Sequence, residues 1–496
     1  MKGKLKILMV FSEVTPFSRD GDLGDVGEAL PKVLKEMGHD VRVITPQYRV
    51  TNERKYILRD VIRLQNIEVP FGKKTVRINV KSAFLPNSKV QVYFINYKPF
   101  FFRDGLYADV KNGKEYSDND KRFILFSKGI LETLIKLQWQ PDVIHCHDWQ
   151  TGLVPFFLKE VYKDNPFFSR TFSLLTVHNF AFQGNFDSSC VQDMGLDGDF
   201  VFSESGLEFD QKCSFLKAGI VYADVVNTVS KKYAQEVLLH PNLGCGMEKV
   251  LKLRSDRMYS VNQGIDYSIW NPEVDIFIPE KYDINHLSGK EKNKRALLEK
   301  FDLSFVKSRP IVAIVLSSAG HNGMDLLRDA FHDLMRFDIY VILVGEGSKS
   351  DHRFFEKASN KYRDRVGVCF MIDEAMSHLV EAGADIALVI SKYEPSGLNR
   401  LRGLKYGTIP VARATGGLAD AVLPFNLKTG KGIGFVFNGF SSSHFLNAVK
   451  QAVKVYQDQK TWIKIMKNAM REDFSWQVSA KNYVQLYSKC IATRGQ

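Results

Sequence analysis

The sequence is poor in cysteine, and its cysteines are not arranged to act together. The six, Cys146, Cys190, Cys213, Cys245, Cys369 and Cys490, are scattered, and no C-x-x-C pair occurs. That argues against a disulfide framework or a zinc ribbon and points to a reducing, cytoplasmic setting. Long apolar runs are also missing. Stretches such as PIVAIVL, Pro310 to Leu316, are strand-sized and far short of the roughly 20 residues that a membrane helix needs. The early run ILMVF follows lysines but is too short for the apolar region of a signal peptide. No low-complexity tract and no long block of like charge is present, so nothing reads as a disordered tail. Net charge is +12, yet no Lys/Arg cluster alternates with aromatic residues as a nucleic-acid groove requires. The surplus reads as a solvated, lysine-rich surface with some attraction for anions.

What is present is a regular alternation of apolar strands and amphipathic helices. At 496 residues the chain is too long for one ordinary core. Its 45% apolar and 25% charged residues are those of a globular protein. KILMVFSE is followed by a helical pattern in which Val26, Leu30, Val33 or Leu34, and Met37 share a face. DVRVITP, VQVYFINY, PDVIHCHD, FSLLTVHN and DVVNTVS continue the series. A second series runs through PIVAIVLSS, IYVILVGEG, RVGVCFMI, DIALVIS, IPVARA and GIGFVF. Continuous apolar strands between helices predict parallel sheets covered on both faces. The expected fold class is α/β, with two Rossmann-like doubly wound domains over residues 1–258 and 259–475 and a closing helix over 476–496. Ligands of such sheets sit at the carboxyl ends of strands, so the cleft between the domains is the expected active site.

Polar residues collect at those strand ends. IHCHDWQTG places His145, His147 and Asp148 at one tip, and TVHNFAFQG places His178 and Asn179 at the next. VNQGIDYSIWNP carries Asn262, and KYEPSGLNRLRG carries Glu394. H-x-H with no obvious third ligand reads as packing or hydrogen bonding, so no metal is expected. The stretch PFSRDGDLGDVGEALPK, Pro16 to Lys32, poses a puzzle. A strand, a glycine-rich turn and a helix suit phosphate binding, yet Asp20, Asp22 and Asp25 stand there against Arg19.

Taken together, SEVTPFSRDGDLGDVGEALPK, HCHDWQTGLVPFFLK, TVHNFAFQGNF, NQGIDYSIWNPEVD and YEPSGLNRLRGLKYGTIPVARATGGLADAV resemble the bacterial glycogen synthase and plant starch synthase family. The resemblance spans almost the whole chain in order. It implies a GT-B glycosyltransferase that extends α-1,4-glucan from ADP-glucose with retention, without metal or other cofactor. It further implies catalytic roles for Glu394, His178 and Asp148. His178 matches a contact to the transferred glucose, and Glu394 matches the carboxylate that holds glucosyl hydroxyls. On the donor side the resemblance places Arg19, Gly21, Asn262, Ser317, Asn322, Ser396, Gly397, Leu398, Thr415, Gly416 and Gly417. Residues 415–418 are expected to offer backbone N–H groups there. On the sugar and acceptor side it places Tyr116, Trp149 and Asn179.

The family pattern breaks at the donor phosphates. Ser317 stands where the family has arginine and Asn322 where it has lysine, with His321 between them. RDGDL, Arg19 to Leu23, replaces K-T-G-G-L, and Arg400 replaces a glutamine. Losing two cations and adding a carboxylate would cost more than about 6 kcal/mol of transition-state stabilisation if nothing compensates. Two readings follow. The first is an α-glucan synthase using ADP-glucose. The second is an impaired paralogue that binds glucan or regulates, in association with an active synthase. In both the partner is an α-1,4-glucan, and neither nucleic acid nor membrane is involved.

Overall fold

The structure is a computed structural model describing residues 3–196, 206–316, 323–371 and 373–493. The chain forms two compact units. One gathers residues 1–229, 234–262 and 476–496, and the other gathers 230–233 and 263–475.

The first unit is built on a ten-stranded sheet. In spatial order it runs Met258–Ser260, Val225–Thr228, Phe172–Val177, Val143–His147, Lys6–Val10, Asp40–Pro46 and Gln91–Asn96, all parallel. Strands Val143–His147 and Phe172–Val177 are buried at every residue, as expected of a parallel sheet packed on both faces. Beyond Gln91–Asn96 the sheet turns antiparallel through Lys74–Phe84, which pairs with both Arg59–Asp60 and Ile67–Phe71. This edge corrects the expectation of a purely parallel sheet. KTVRINVKSAF alternates polar and apolar residues and leaves one face in solvent, a half-buried pattern that carries no continuous apolar run. A small three-stranded sheet, Asn185–Phe186, Glu208–Phe209 and Lys212–Ser214, was likewise not anticipated.

The C-terminal helix Trp476–Thr493 belongs to this first unit. Trp476, Ala480, Tyr483, Leu486, Tyr487 and Cys490 share one core with Ile7, Met9, Leu30, Val41 and Val143. A buried polar seam fixes it further. His145 Nδ1 meets the Tyr487 hydroxyl at 2.8 Å, His145 Nε2 meets Thr176 Oγ1 at 2.7 Å, and Asn227 donates to Tyr483 Oη at 3.2 Å. Burial keeps His145 neutral by pushing its pKa well down.

The second unit is a six-stranded, wholly parallel sheet ordered Val366–Cys369, Tyr340–Gly345, Ile311–Leu316, Ile386–Val389, Ile409–Arg413 and Phe435–Phe437. In each unit the strand that starts the winding has later strands on both sides. The chain therefore reverses direction between Lys6–Val10 and Val143–His147, and again between Ile311–Leu316 and Ile386–Val389. Loops leaving the carboxyl ends at such a reversal diverge to opposite faces and leave a crevice. Among the described residues those loops begin at Phe11, Asp148 and Ile390. Among the described residues no helix is long and apolar enough to cross a membrane.

Candidate functional site

In the first unit, the loop after Lys6–Val10 and the helix Asp22–Glu36 make the turn that looked like a phosphate cradle. Its acidic residues have local reasons. Asp22 and Asp25 sit in the helix's first turn, where the aligned peptide dipoles favour negative charge. Asp25 accepts from Thr15 Oγ1 at 3.2 Å and from Arg19 at 3.0 Å. Beneath the turn lies Glu13, a residue the sequence reading passed over. Its carboxylate accepts the backbone N–H groups of Asp20 at 2.6 Å, Gly21 at 3.1 Å and Gly24 at 3.1 Å. Burial pushes the Glu13 carboxyl up to about 7 even though those N–H bonds pull the other way. The clue available in the sequence was position: Glu13 lies three residues beyond the end of the first strand.

Asp148 and His178 come together at the neighbouring strand ends. Asp148 Oδ1 accepts the backbone N–H of His178 at 2.7 Å, and Oδ2 lies 3.0 Å from His178 Nδ1. A carboxylate can only accept, so Nδ1 carries a proton, and in the tautomer with that proton alone Nε2 is an acceptor. Nε2 is buried with no hydrogen-bond partner among the described residues. Asp148 itself is held at φ 59°, ψ −174°, a region costly for anything but glycine and one that concentrates at functional sites. His147 stacks on Phe11 at 3.9 Å and on His178 at 5.4 Å, fully buried, and burial holds its pKa well down. The H-x-H pair is thus two packed neutral imidazoles.

The other first-unit candidates each have their own local setting. Tyr116 lies under the guanidinium groups of Arg103, at 4.7 Å, and Arg122, at 5.1 Å. Trp149 is buried edge-on to Phe123 at 5.0 Å, so it is a packing residue with little surface to offer a sugar. Asn179 caps its own turn, accepting from Ala181 N–H at 3.0 Å. Asn262 follows Met258–Ser260 and is half-buried.

In the second unit, Glu394 and residues 415–418 pack backbone against backbone. Gly417 N–H donates to the Glu394 carbonyl at 3.0 Å, and Ser391 Oγ donates to Glu394 Oε2 at 3.1 Å. The approach demands glycine: a Cβ on Gly416 would lie 1.9 Å from the Glu394 carbonyl oxygen, and one on Gly417 would lie 1.6 Å from that of Ser396. Gly416 also sits at φ +46°. Three of the N–H groups expected to face a donor bond within the protein in this structure. Thr415 donates to Arg413, Gly417 to Glu394 and Pro395, and Leu418 to Thr415, because the short helix Gly416–Ala421 starts against the 394–396 backbone. Gly397, at φ +70°, turns the chain into Leu398, which is buried. Ser396 Oγ is buried without a hydrogen-bond partner among the described residues.

Two basic side chains beside this segment were not anticipated. Arg413 donates to the carbonyls of Lys392 and Asn438, and Lys392 pairs with Asp325 at 3.1 Å. Arg413 ends strand Ile409–Arg413, so the rule that strand ends carry function would have flagged it. Ser317, His321 and Asn322 lie outside the described residues, as does the side chain of Arg400. Among the described residues no group of three or more His, Cys, Asp or Glu side chains is placed to hold a metal ion.

Comparison with known proteins bears on this geometry directly. Residues 6–253 match the family described as starch synthase catalytic domain, and residues 297–469 match glycosyl transferases group 1. The chain is 38% identical over 495 residues to a glycogen synthase of Thermotoga petrophila, covering 99% of this chain and 100% of that one. It is 37% identical over 492 residues to a glycogen synthase of Desulforudis audaxviator, covering 97% and 96%. Among solved structures it superposes on the catalytic domain of starch synthase IV from Arabidopsis thaliana, bound to ADP and acarbose. The TM-score there is 0.88 at 30% identity, with 99% and 100% of the chains covered. A sucrose-phosphate synthase from Thermosynechococcus elongatus matches at TM-score 0.58 and 18% identity, a likeness of fold alone. With two doubly wound units, family models matching most of its length and full-length relatives at 37–38% identity, the chain belongs to the glycogen synthase and starch synthase family of GT-B glycosyltransferases.

Proposed function

We propose that this protein transfers glucose from ADP-glucose to the non-reducing end of an α-1,4-glucan, with retention, in the cytoplasm. The single observation that carries the reading is the pairing of Asp148 with His178, which leaves a buried imidazole nitrogen uncommitted in a full-length relative of glycogen synthases. In this assignment His178 Nε2 receives a hydroxyl of the transferred glucose, and Asp148 sets its tautomer. Glu394 holds the glucosyl hydroxyls. Its carboxylate is oriented by Ser391 at 3.1 Å, and its backbone by residues 415–417. Tyr116 and Asn179 are assigned to the sugar side, and Asn262, Ser396, Gly397 and Leu398 to the donor side.

The chemistry asks for stabilisation of negative charge growing on the departing diphosphate, which preorganised cations and N–H dipoles supply. The test is direct: purified protein with ADP-glucose and glycogen should release ADP and lengthen the glucan. Retention of the protein in a glycogen-containing affinity gel without ADP release would replace this reading with glucan binding alone.

A further inference from the structure

Away from the strand ends that carry Glu394 and residues 415–418, the second unit holds a cavity of about 280 Å³. Helices Ser288–Glu299 and Gln459–Arg471 wall it, and its polar lining lies at the amino ends of three neighbouring strands. Lys294 donates to the carbonyl of Arg309, just before Ile311–Leu316. Asp385 immediately precedes Ile386–Val389, and Lys290 donates to Thr408, which immediately precedes Ile409–Arg413. We propose that this cavity binds a small organic monoanion, a carboxylate with an apolar body, through Lys290 and Trp462. The site is separate from the one assigned to glucosyl transfer and does not depend on that activity.

The hydrogen bonds inside the cavity leave one cation over. Lys294 Nζ spends its three N–H groups on the Arg309 carbonyl, the Tyr456 hydroxyl and Asp385 Oδ2, each at 2.8 Å, so this ammonium and Asp385 neutralise each other. Lys290 donates to two neutral oxygens, the Ala382 carbonyl at 3.2 Å and Thr408 Oγ1 at 2.9 Å. Its third N–H has no partner among the described residues, although Lys290 is only 5% exposed. A buried ammonium in that position favours either loss of its proton or the arrival of an anion. Burial pushes the Lys290 pKa down to about 7; the carboxylates of Asp385 and Glu381 pull it up, and Lys294 pushes it down further. The indole N–H of Trp462, 2% exposed and lining the same cavity, also lacks a partner among the described residues, and an indole nitrogen only donates. Two unspent donors and one unbalanced positive charge call for acceptor oxygens that carry a single negative charge. A second negative charge would face Asp385 and, at the mouth, Glu291, which Arg295 and Lys307 already flank at 2.8 and 3.9 Å. Leu287, Phe305, Ile463 and Met466 supply apolar wall, whose complement is a carbon skeleton. At about 30 Å³ per water, the volume suits a ligand the size of benzoate.

Calorimetry on the full chain with sodium benzoate at about pH 6 tests the inference, with inorganic phosphate as second probe. Benzoate should bind with a dissociation constant of about 1 mM or tighter, and phosphate about tenfold more weakly or worse. Lys290→Met keeps the length and removes the charge, and should weaken benzoate about tenfold or more. Trp462→Phe keeps a ring and removes the N–H, and should weaken it about threefold or more. In the unaltered chain affinity should fall about tenfold between about pH 6 and 8, as Lys290 loses its proton around 7 while benzoate stays ionised. No binding at about 10 mM benzoate, phosphate binding as tightly as benzoate, a flat pH profile, or Lys290→Met within twofold of the unaltered chain overturns the proposal. If Lys290→Met shows no cooperative urea transition, Lys290→Gln is measured in its place and read the same way. None of these readouts uses ADP-glucose, so an absence of ADP release would count against the proposed activity and leave this site standing.

Discussion

Asp148→Asn isolates one proton. Asparagine has the shape of aspartate and tolerates positive φ about as well, so the unusual backbone at φ 59° should survive. The carbonyl of the new amide can still accept the His178 N–H, as Oδ1 does now at 2.7 Å. The other end changes sense. Where Oδ2 accepts from Nδ1 at 3.0 Å, an NH2 group can only donate. His178 must then accept at Nδ1, and the proton moves to Nε2. A substrate hydroxyl that donated to Nε2 would meet a donor in its place. Leaving a buried donor facing another donor costs about 1–3 kcal/mol. If the contact acts in the transition state, its loss lowers kcat/KM about 5- to 150-fold. The assay is ADP release from ADP-glucose with glycogen, alongside urea denaturation to show that folding is unchanged. Activity within twofold of the unaltered protein, with equal stability, would refute the tautomer argument.

Four other substitutions probe the surrounding structure. Tyr487→Phe removes the hydroxyl that meets His145 Nδ1 at 2.8 Å, and should destabilise the first unit by about 1–3 kcal/mol, seen as an earlier urea transition. Gly417→Ala places a methyl group 1.6 Å from the Ser396 carbonyl oxygen; the displaced loop should lower glucan synthesis by about 100-fold, measured as ADP release. Ser396→Cys replaces a buried hydroxyl that has no partner among the described residues with a small apolar thiol, and should be neutral or stabilising by about 1 kcal/mol, read from the urea midpoint. The fourth concerns pH. Burial raises the Glu13 carboxyl from 4.5 to about 7, so the folded chain binds this proton more tightly than the unfolded chain does. Its contribution to stability is fully present below about pH 4.5, falls as pH rises and is lost above about 7, a total of about 3 kcal/mol. Urea midpoints against pH should show that fall, and Glu13→Gln should flatten it.

Much of this architecture was legible before any coordinates. Strands such as Val143–His147 and Tyr340–Gly345 are buried throughout because both faces are covered, and the spacing of such segments between helices announces a doubly wound sheet. Glu394, His178 and Asp148 could be singled out in the sequence because each lies near the end of an apolar strand, and their roles are those proposed above. The antiparallel edge around Lys74–Phe84 was not, because a half-exposed strand alternates and resembles many surface segments. Glu13 and Arg413 were passed over for a related reason. Each is a single charged residue next to an apolar strand, and nothing local says which backbone groups it will meet.

By itself, then, the amino-acid order determined what short-range physics can write: periodicity of apolar residues, glycines where backbones must touch, acids in the first turn of a helix, and membership of a family. Only the tertiary structure decided how the polar groups are spent, since that depends on residues distant in the chain arriving together. His145 meets Tyr487 across 342 positions, and Glu13 reaches over a turn to take three N–H groups. A hydrogen bond is a matter of a few tenths of an ångström and an angle, and those are set by packing.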